Sequence, residues 1–394
     1  FRQCFCAGPT CSPSRAALVT GMAPHSCGMI GLAHRGFSMN DYGKHIVHTL
    51  RKAGYRSTLL GMQHVASDPA VIGYDEVWRD SADARAVGPK AAEWLRASPA
   101  QPFFLSVGFA QTHRKFPDPG PDDDPRWCRP PAPLPDTPQT RADMAAFRAC
   151  ARALDEGMGQ VLQALDEAGL AGQTLVICTT DHGVAFPSMK CHLTDHGTGV
   201  MLIIRGPGGF TGGKVVDGMV SHIDLFPTIC ELLEIDPPDW LQGASVLPLV
   251  RGEAEEIHDE VFSEVTYHAA YEPQRAVRTR RWKYIRRFGD RAGKVILPNT
   301  DDSPSKKLWL EAGWAQRPVP AEQLYDLVFD PNETGNLAGD PRCAEVLADM
   351  RRRLEDWMRR TGDPLLAGPV PAPKGAKVND PDGLSPNQPL TIAS

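Results

Sequence analysis

The sequence lacks the features that mark membrane, nucleic-acid-binding and disulfide-rich proteins. Its longest apolar runs, such as 175–178 and 200–204, fall far short of the roughly 20 residues that cross a bilayer, so we expect no membrane span. The formal net charge is only −6 and the basic residues are scattered, which leaves no electrostatic footprint for nucleic acid. Ten cysteines at irregular spacing do not indicate a disulfide framework.

The start of the chain carries neither a zinc motif nor a secretory signal. Cys4, Cys6 and Cys11 lack the second Cys-x-x-Cys pair that structural zinc sites use. The chain begins at Phe1 with a polar, cysteine-rich segment instead of a charged and then apolar stretch. We interpret the sequence as lacking its original N-terminal part, so it leaves the cellular compartment open.

Helical segments alternate with apolar strands along the first part of the chain. Helices are predicted around 89–95 and over 142–168, and the apolar strands 102–109 and 174–180 follow them. Each strand is followed by polar residues of the types that occur in active sites. In an open α/β sheet such residues collect outside the carboxyl ends of the strands, so we expect them to meet in space.

The composition changes near residue 255 and again near 364. We expect an α/β domain over 1–255, a smaller α+β domain over 256–363, and an extended or disordered Pro- and Gly-rich tail over 364–394. The middle part contains short runs such as 276–285 that predict half-exposed strands, and it ends in a predicted helix over 345–360.

Residues 11–21 place a small nucleophile at the start of a predicted helix. Arg15 follows Cys11 by one helical turn and lies beside it, and the helix N-terminus adds a partial positive charge for an anion. Taken alone, the pattern fits equally well a capped helix start, with Thr10 or Ser12 as N-cap and Cys11 as a small buried residue.

The string Cys-x-Pro-x-Arg followed by Thr-Gly resembles the signature of the sulfatase family, a formylglycine-dependent branch of the alkaline phosphatase superfamily. The resemblance implies an alkaline-phosphatase-like α/β fold, with a central mixed sheet flanked by helices and a smaller C-terminal α+β domain. It also implies that a formylglycine-generating enzyme oxidises Cys11 to formylglycine. In the family, the hydrated diol of that residue attacks the sulfur of a sulfate ester or sulfamate.

Three further side chains match catalytic positions of the family. His64 follows Gly61 in the register of Gly-Lys-x-His, where the histidine contacts substrate or nucleophile, but Met62 replaces the lysine. His113 resembles the histidine that protonates the leaving group as general acid. Lys190 matches a basic residue that contacts the sulfate and partly offsets Met62. Without these motifs, a structural role would be the commoner interpretation of His64, and an exposed position on the surface that of His113.

Asp181, His182 and Gly183 resemble the family motif Asp-Asn-Gly or Asp-His-Gly, whose first two side chains bind a divalent cation. With residue 11 as a further ligand, the resemblance implies Ca²⁺, with Mg²⁺ or Mn²⁺ as alternatives. Read without the family, Asp181 is a turn residue that caps the following segment.

Residues 186–190 and 194–197 resemble the heparan N-sulfatase (sulfamidase) branch. His192, Asp195 and His196 together offer the ligand types of a zinc site. Their place in the family pattern instead implies a loop on the substrate side.

One part of the family pattern is absent from this sequence. Sulfatases carry an Asp-Asp pair on their first strand, upstream of the cysteine, and these carboxylates supply half of the metal shell. Asp181 and His182 alone would hold a cation weakly, since Ca²⁺ takes about six to eight oxygen ligands. We therefore expect a fragment of a full sulfatase that, taken alone, folds poorly or is inactive.

The leading hypothesis is a metal-dependent hydrolase of sulfate esters or sulfamates on a sulfated small molecule or glycan. A phosphonate or phosphate ester hydrolase of the same superfamily is the enzymatic alternative. A non-catalytic binder of sulfated glycans is the second alternative, motivated by Met62 and the missing aspartates. The presence of Cys11, Arg15 and His113 favours an enzyme, because a binding protein does not require them.

Overall fold

The computed structural model describes residues 1–394 and builds them from short sheets with helices packed on their faces. The strands are β1 (Cys4–Phe5), β2 (Arg56–Gly61), β3 (Glu76–Trp78), β4 (Phe103–Gly108), β5 (Val176–Thr179), β6 (Leu202–Arg205), β7 (Val220–Ser221), β8 (Val261–Tyr267), β9 (Tyr271–Arg278), β10 (Trp282–Arg287), β11 (Glu322–Asp326), β12 (Lys377–Asn379) and β13 (Leu390–Ile392). The helices are α1 (Cys11–Thr20), α2 (Pro24–Cys27), α3 (Ile46–Lys52), α4 (Ala84–Arg96), α5 (Pro138–Glu167), α6 (Asp195–Thr198), α7 (Leu225–Leu232), α8 (Leu247–Arg251), α9 (Pro304–Glu311) and α10 (Ala344–Thr361). None of the helices combines the length and apolar content that a bilayer crossing requires.

The first part of the chain contains three small sheets. β2 lies between β3 and β4 in a parallel sheet, β5 pairs antiparallel with β6, and β1 pairs parallel with β7. Helices α3, α4 and α5 precede β2, β4 and β5, as the alternation in the sequence predicts. The predicted α/β class, with mixed sheets, flanking helices and a smaller C-terminal unit, is confirmed.

Two long helices hold β4 and β5 in place. Thr137 caps α5, with Pro138 at its first position, and Thr140 completes a capping box. α5 packs tightly on α4, because a Cβ added at Gly88 would lie 2.9 Å from the Cα of Gly157. The apolar side chains between the helices form a cluster that also covers Phe103, Leu105 and Val176. This cluster thereby ties β4 and β5 to the same pair of helices.

The C-terminal unit is a four-stranded antiparallel sheet in the order β11-β10-β9-β8. One face, with Val277 and Tyr284, packs on the predicted C-terminal helix, observed as α10. The opposite face, with Ala276 and Ile285, packs on Leu193 from the first part of the chain. Because both faces are covered, these strands are mostly buried, and the prediction of half-exposed strands is wrong.

This sheet is joined directly to the segment that precedes Cys11. The backbone N–H of Glu264 donates to the carbonyl of Ala7, and the Ser263 hydroxyl donates to the carbonyl of Cys6. A fully buried ion pair between Arg275 and Asp363 connects β9 to the end of α10. The C-terminal unit therefore holds in place the segment that leads into α1.

Residues 364–394 have more order than the extended or disordered tail that the sequence predicts. They form the hairpin β12–β13, and Ala376 is buried in a cluster with Met29 and Phe37. Arg35 donates to Asn379 Oδ1 over 2.7 Å. The proline-rich composition is compatible with this order because the segment packs against the first part of the chain instead of forming its own core.

Candidate active site

Cys11 is the first residue of α1. Thr10 occupies the N-cap position, but its side chain makes no capping hydrogen bond, and Ser12 Oγ instead accepts from Ala33 N over 3.0 Å. The side-chain cap that the sequence offered as an alternative is therefore absent. The N-terminal N–H groups and the positive end of the helix dipole are left facing residue 11.

Arg15, Asp181 and His182 surround Cys11, as the sequence predicts. Arg15 Nε donates to Asp181 Oδ2 over 2.9 Å, and Cys11 Sγ lies 3.4 Å from His182 Nε2. Asp181 and His182 follow the carboxyl end of β5. Gly183 must be glycine here, because a Cβ would lie 2.0 Å from the carbonyl oxygen of His196.

Lys190 reaches the same pocket from the loop that follows this motif. The neighbouring Cys191 N donates to the carbonyl of Pro9 over 2.8 Å, which ties the loop to the chain just before α1. Lys190 is 3% exposed, and its Nζ lies 2.9 Å from Asp301 Oδ2. Burial opposes the charge of Asp301, but the charges of Lys190 and His268 and the hydrogen bond from Lys190 together lower the pKa of Asp301 to about 2.

The pocket strongly favours negative charge at residue 11. Burial alone would raise the pKa of the Cys11 thiol, but the charges of Lys190 and His182, with hydrogen bonds from His113 and His182, hold that pKa well below its usual range. Burial likewise opposes charge on His182, yet Asp181 and Cys11 raise its pKa. This electrostatic field suits an anionic substrate as well as it suits a thiolate.

His113 lies in the loop after β4. Its hydrogen bond with Cys11 raises its pKa against the effect of burial. The adjacent Arg114 anchors the loop, since its guanidinium makes a bidentate ion pair with Asp143 over 2.8 and 2.9 Å and is 8% exposed. The side chain of Arg114 is therefore directed into the protein.

His64 contacts another histidine instead of Cys11. His64 Nε2 lies 2.7 Å from His34 Nδ1, and the two rings stack. His64 has a φ of 60°, a left-handed conformation that a non-glycine residue keeps only where its surroundings impose it. His34 was not singled out from the sequence, because nothing in its neighbourhood marks it as reactive.

His192, Asp195 and His196 do not form a metal cluster. Asp195 instead accepts from Arg278 and from Lys283, at 3.0 and 2.7 Å. These partners hold the carboxylate in an ion-pair network. Both oxygens of Asp195 are already engaged, so the side chain offers no free ligand to a zinc ion.

The residues present supply part of a divalent-cation shell. Cys11, Asp181 and His182 each offer one ligand atom, and these atoms lie within 4.8 Å of one another. Arg15 already engages one oxygen of Asp181. One shared carboxylate, an imidazole and the atom on residue 11 fit one side of a Ca²⁺ or Mg²⁺ site and leave its other ligands to be supplied from elsewhere.

Fold and site together define a hydrolase of anionic esters, with a nucleophile at a helix N-terminus and cationic side chains gathered at strand ends. The family model Sulfatase matches residues 1–235, and the model N-sulphoglucosamine sulphohydrolase, C-terminal, matches residues 189–306. The chain belongs to the sulfatase family, whose members are sulfuric ester hydrolases that generally use a formylglycine and a divalent metal.

Individual relatives agree with this assignment. Human N-sulphoglucosamine sulphohydrolase is 31% identical over 427 residues, which cover 94% of this chain and 84% of that protein. A solved 2-O GAG sulfatase is similar in fold, with a TM-score of 0.66 at 23% identity over 95% of this chain and 87% of that one. A phosphonate monoester hydrolase from Silicibacter pomeroyi has a TM-score of 0.66 at 20% identity, over 92% and 88% of the two chains.

Proposed function

We propose that this protein hydrolyses a sulfamate or sulfate ester on a carbohydrate, through a formylglycine made from Cys11. The observation that carries the proposal is the field at residue 11, where Lys190, His182 and His113 together stabilise negative charge. The match of residues 189–306 to the C-terminal part of N-sulphoglucosamine sulphohydrolases favours an N-sulfated sugar. A sulfated glycan and a formylglycine-generating enzyme are the partners that this proposal requires.

The chemistry follows from the diol at residue 11. One diol oxygen attacks the sulfur, the bond from sulfur to the substrate nitrogen or oxygen breaks, and the departing atom takes a proton from His113. The sulfate is then bound covalently to residue 11. Loss of the proton from the second hydroxyl re-forms the carbonyl and expels sulfate, and water hydrates the aldehyde again.

The cationic side chains stabilise the charge that develops during this reaction. Lys190 and the N–H groups at the start of α1 are placed to bind sulfuryl oxygens, and Arg15 orients Asp181 through the ion pair at 2.9 Å. His64, held by His34, is assigned to contact the bound substrate. The hydrogen bond with Cys11 raises the pKa of His113, which favours the protonated form that a general acid requires.

Asp181, His182 and the converted residue 11 are the side chains that would hold the divalent cation. We propose Ca²⁺, with Mg²⁺ or Mn²⁺ as alternatives, because the carboxylate and the diol oxygens are hard ligands. When bound, the cation supplies positive charge that favours ionisation of the diol and neutralises the sulfuryl oxygens. We also propose the domain division 1–255, 256–363 and 364–394.

Two measurements test the proposal. Mass spectrometry of the peptide containing residue 11, from protein made in a host that matures sulfatases, is expected to show the thiol replaced by an aldehyde. Hydrolysis is then compared on N-sulfated glucosamine, its O-sulfated isomers and an aryl phosphonate ester, with Cys11→Ala as the inactive control. An unmodified thiol in every sample, or much faster turnover of the phosphonate, would overturn the proposal.

A further inference from the structure

His268 is a buried polar side chain that no motif in the sequence marks. It lies in the turn that joins β8 to β9, and it is 5% exposed. Its Nδ1 atom is buried and has no hydrogen-bond partner. A buried polar atom without a partner costs free energy, so native proteins keep few of them, and each calls for a physical explanation.

The surroundings of His268 place it in the pocket around residue 11. Burial lowers the pKa of its imidazole, and Cys11, Lys190 and Asp301 lie near enough to act on the ring. The imidazole, one nitrogen of which has no partner, therefore lies near the nucleophile and among the groups that favour an anion. By contrast, the unpartnered Nε2 of His25 belongs to a ring packed edge-on against Trp357, 5.2 Å away, in the apolar contact between α2 and α10.

The chemistry of the missing partner follows from these neighbours. An imidazole with its proton on Nδ1 is a hydrogen-bond donor, and the pocket that it faces is cationic. The group that satisfies it must therefore be an acceptor that carries negative charge. A sulfuryl oxygen of a substrate whose sulfur is attacked from residue 11 has both properties.

We propose that His268 is a substrate-binding residue whose Nδ1–H donates a hydrogen bond to an oxygen of the sulfuryl group. The inference rests on the proposed function and extends it, because it assigns part of the sulfate-binding site to the C-terminal unit. Met62 is neutral and contributes no positive charge to the pocket. The hydrogen-bond donor of His268 therefore adds to the positive charge that Lys190 supplies.

The test uses two substitutions, each of which keeps a hydrogen-bond donor near the position of one imidazole nitrogen. The amide nitrogen of His268→Asn occupies roughly the place of Nδ1, whereas that of His268→Gln occupies roughly the place of Nε2. Binding of inorganic sulfate to the matured full chain is measured by calorimetry, which does not depend on turnover. KM and kcat are measured on the substrate that the wild type hydrolyses fastest, and circular dichroism melting checks that each variant is folded.

We expect His268→Gln to weaken sulfate binding about tenfold or more, the effect of losing a hydrogen bond to an anion. His268→Asn is expected to bind within about threefold of the wild type, with KM following the same order. Equal binding by all three proteins, equal loss in both variants, or no sulfate binding by the wild type would overturn the inference. Sulfate binding that follows the expected order in a protein that hydrolyses no sulfated sugar would instead overturn the proposed function alone.

Discussion

His34 Nδ1 lies 2.7 Å from His64 Nε2, with the two ring centroids 5.0 Å apart. This contact fixes the orientation of the His64 ring at the edge of the pocket. We expect His34→Ala to lower kcat/KM about tenfold, because it leaves the His64 ring in place but free to rotate. His64→Ala removes that ring and is expected to lower kcat/KM further.

A double-mutant cycle tests this coupling. If His34 acts through His64, the double variant is no slower than His64→Ala alone. Additive losses in the double variant would show that His34 contacts the substrate independently.

The ion pair between Arg15 and Asp181 controls the charge of the candidate metal ligand. Burial opposes ionisation of Asp181, but the charges of His182 and Arg15 lower its pKa. Without Arg15 that pKa rises, so the carboxylate takes up a proton at a higher pH. We expect Arg15→Ala to lower kcat/KM about 100-fold or more and to move the acid limb of the pH–rate profile toward higher pH.

Arg15→Lys is the matched control, because it retains the positive charge beside Asp181. It should keep the acid limb near its wild-type position even if turnover falls. An acid limb that stays in place in Arg15→Ala would contradict this account of Asp181.

Lys190 brings its charge to residue 11 while paired with Asp301 at 2.9 Å. We expect Lys190→Met to lower kcat/KM about 100-fold or more, since it removes a donor aimed at developing negative charge. Lys190→Arg keeps the charge and is expected to remain within about tenfold of the wild type. Steady-state kinetics on matured protein distinguish the two, and similar losses in both variants would show that packing, not charge, matters at this position.

His45 is a neutral, buried helix cap that couples stability to pH. Its Nδ1 accepts from Val47 N over 3.2 Å, and burial, with a smaller effect from the charge of His48, lowers its pKa to about 3. The ordinary pKa of histidine is about 6.5, so on acidification the unfolded chain takes up this proton first. The contribution of neutral His45 to stability is therefore fully present above about pH 6.5 and is lost as the pH falls toward the folded pKa of about 3.

We expect the wild-type urea midpoint to decrease more steeply between about pH 7 and about pH 5 than that of His45→Asn. Asparagine also caps helices and does not titrate, so the variant isolates the imidazole. Parallel pH dependence in the two proteins would mean that His45 contributes nothing to acid sensitivity.

The local sequence pattern was sufficient to predict the alternation of helices and strands, because α4, β4 and α5 each have their own pattern of apolar residues. The family signature then brought Cys11, Arg15, Asp181 and His182 together correctly, although 166 residues separate Arg15 from Asp181. Periodicity alone could not have paired them. Their proximity depends on the order of strands, which single-segment patterns do not encode.

Ion pairs between distant residues are what the sequence could not show. Nothing in the local pattern marks Asp143 as the partner of Arg114, or Arg278 as the partner of Asp195. Half-exposed strands were predicted from the basic residues of β9 and β10, but Arg275, Arg278, Lys283 and Arg287 are buried in ion pairs. Such pairings arise only from tertiary packing.

The pocket combines side chains from two units that meet along β8. Cys11, His113 and Lys190 precede residue 255, whereas His268 and Asp301 follow it. The side chains assigned to the sulfuryl group therefore come from both stretches of the chain, so neither stretch alone carries a complete pocket. A chain cut before β8 would lose His268 together with Asp301, the ion-pair partner of Lys190, and would keep the nucleophile without its full anion-binding pocket.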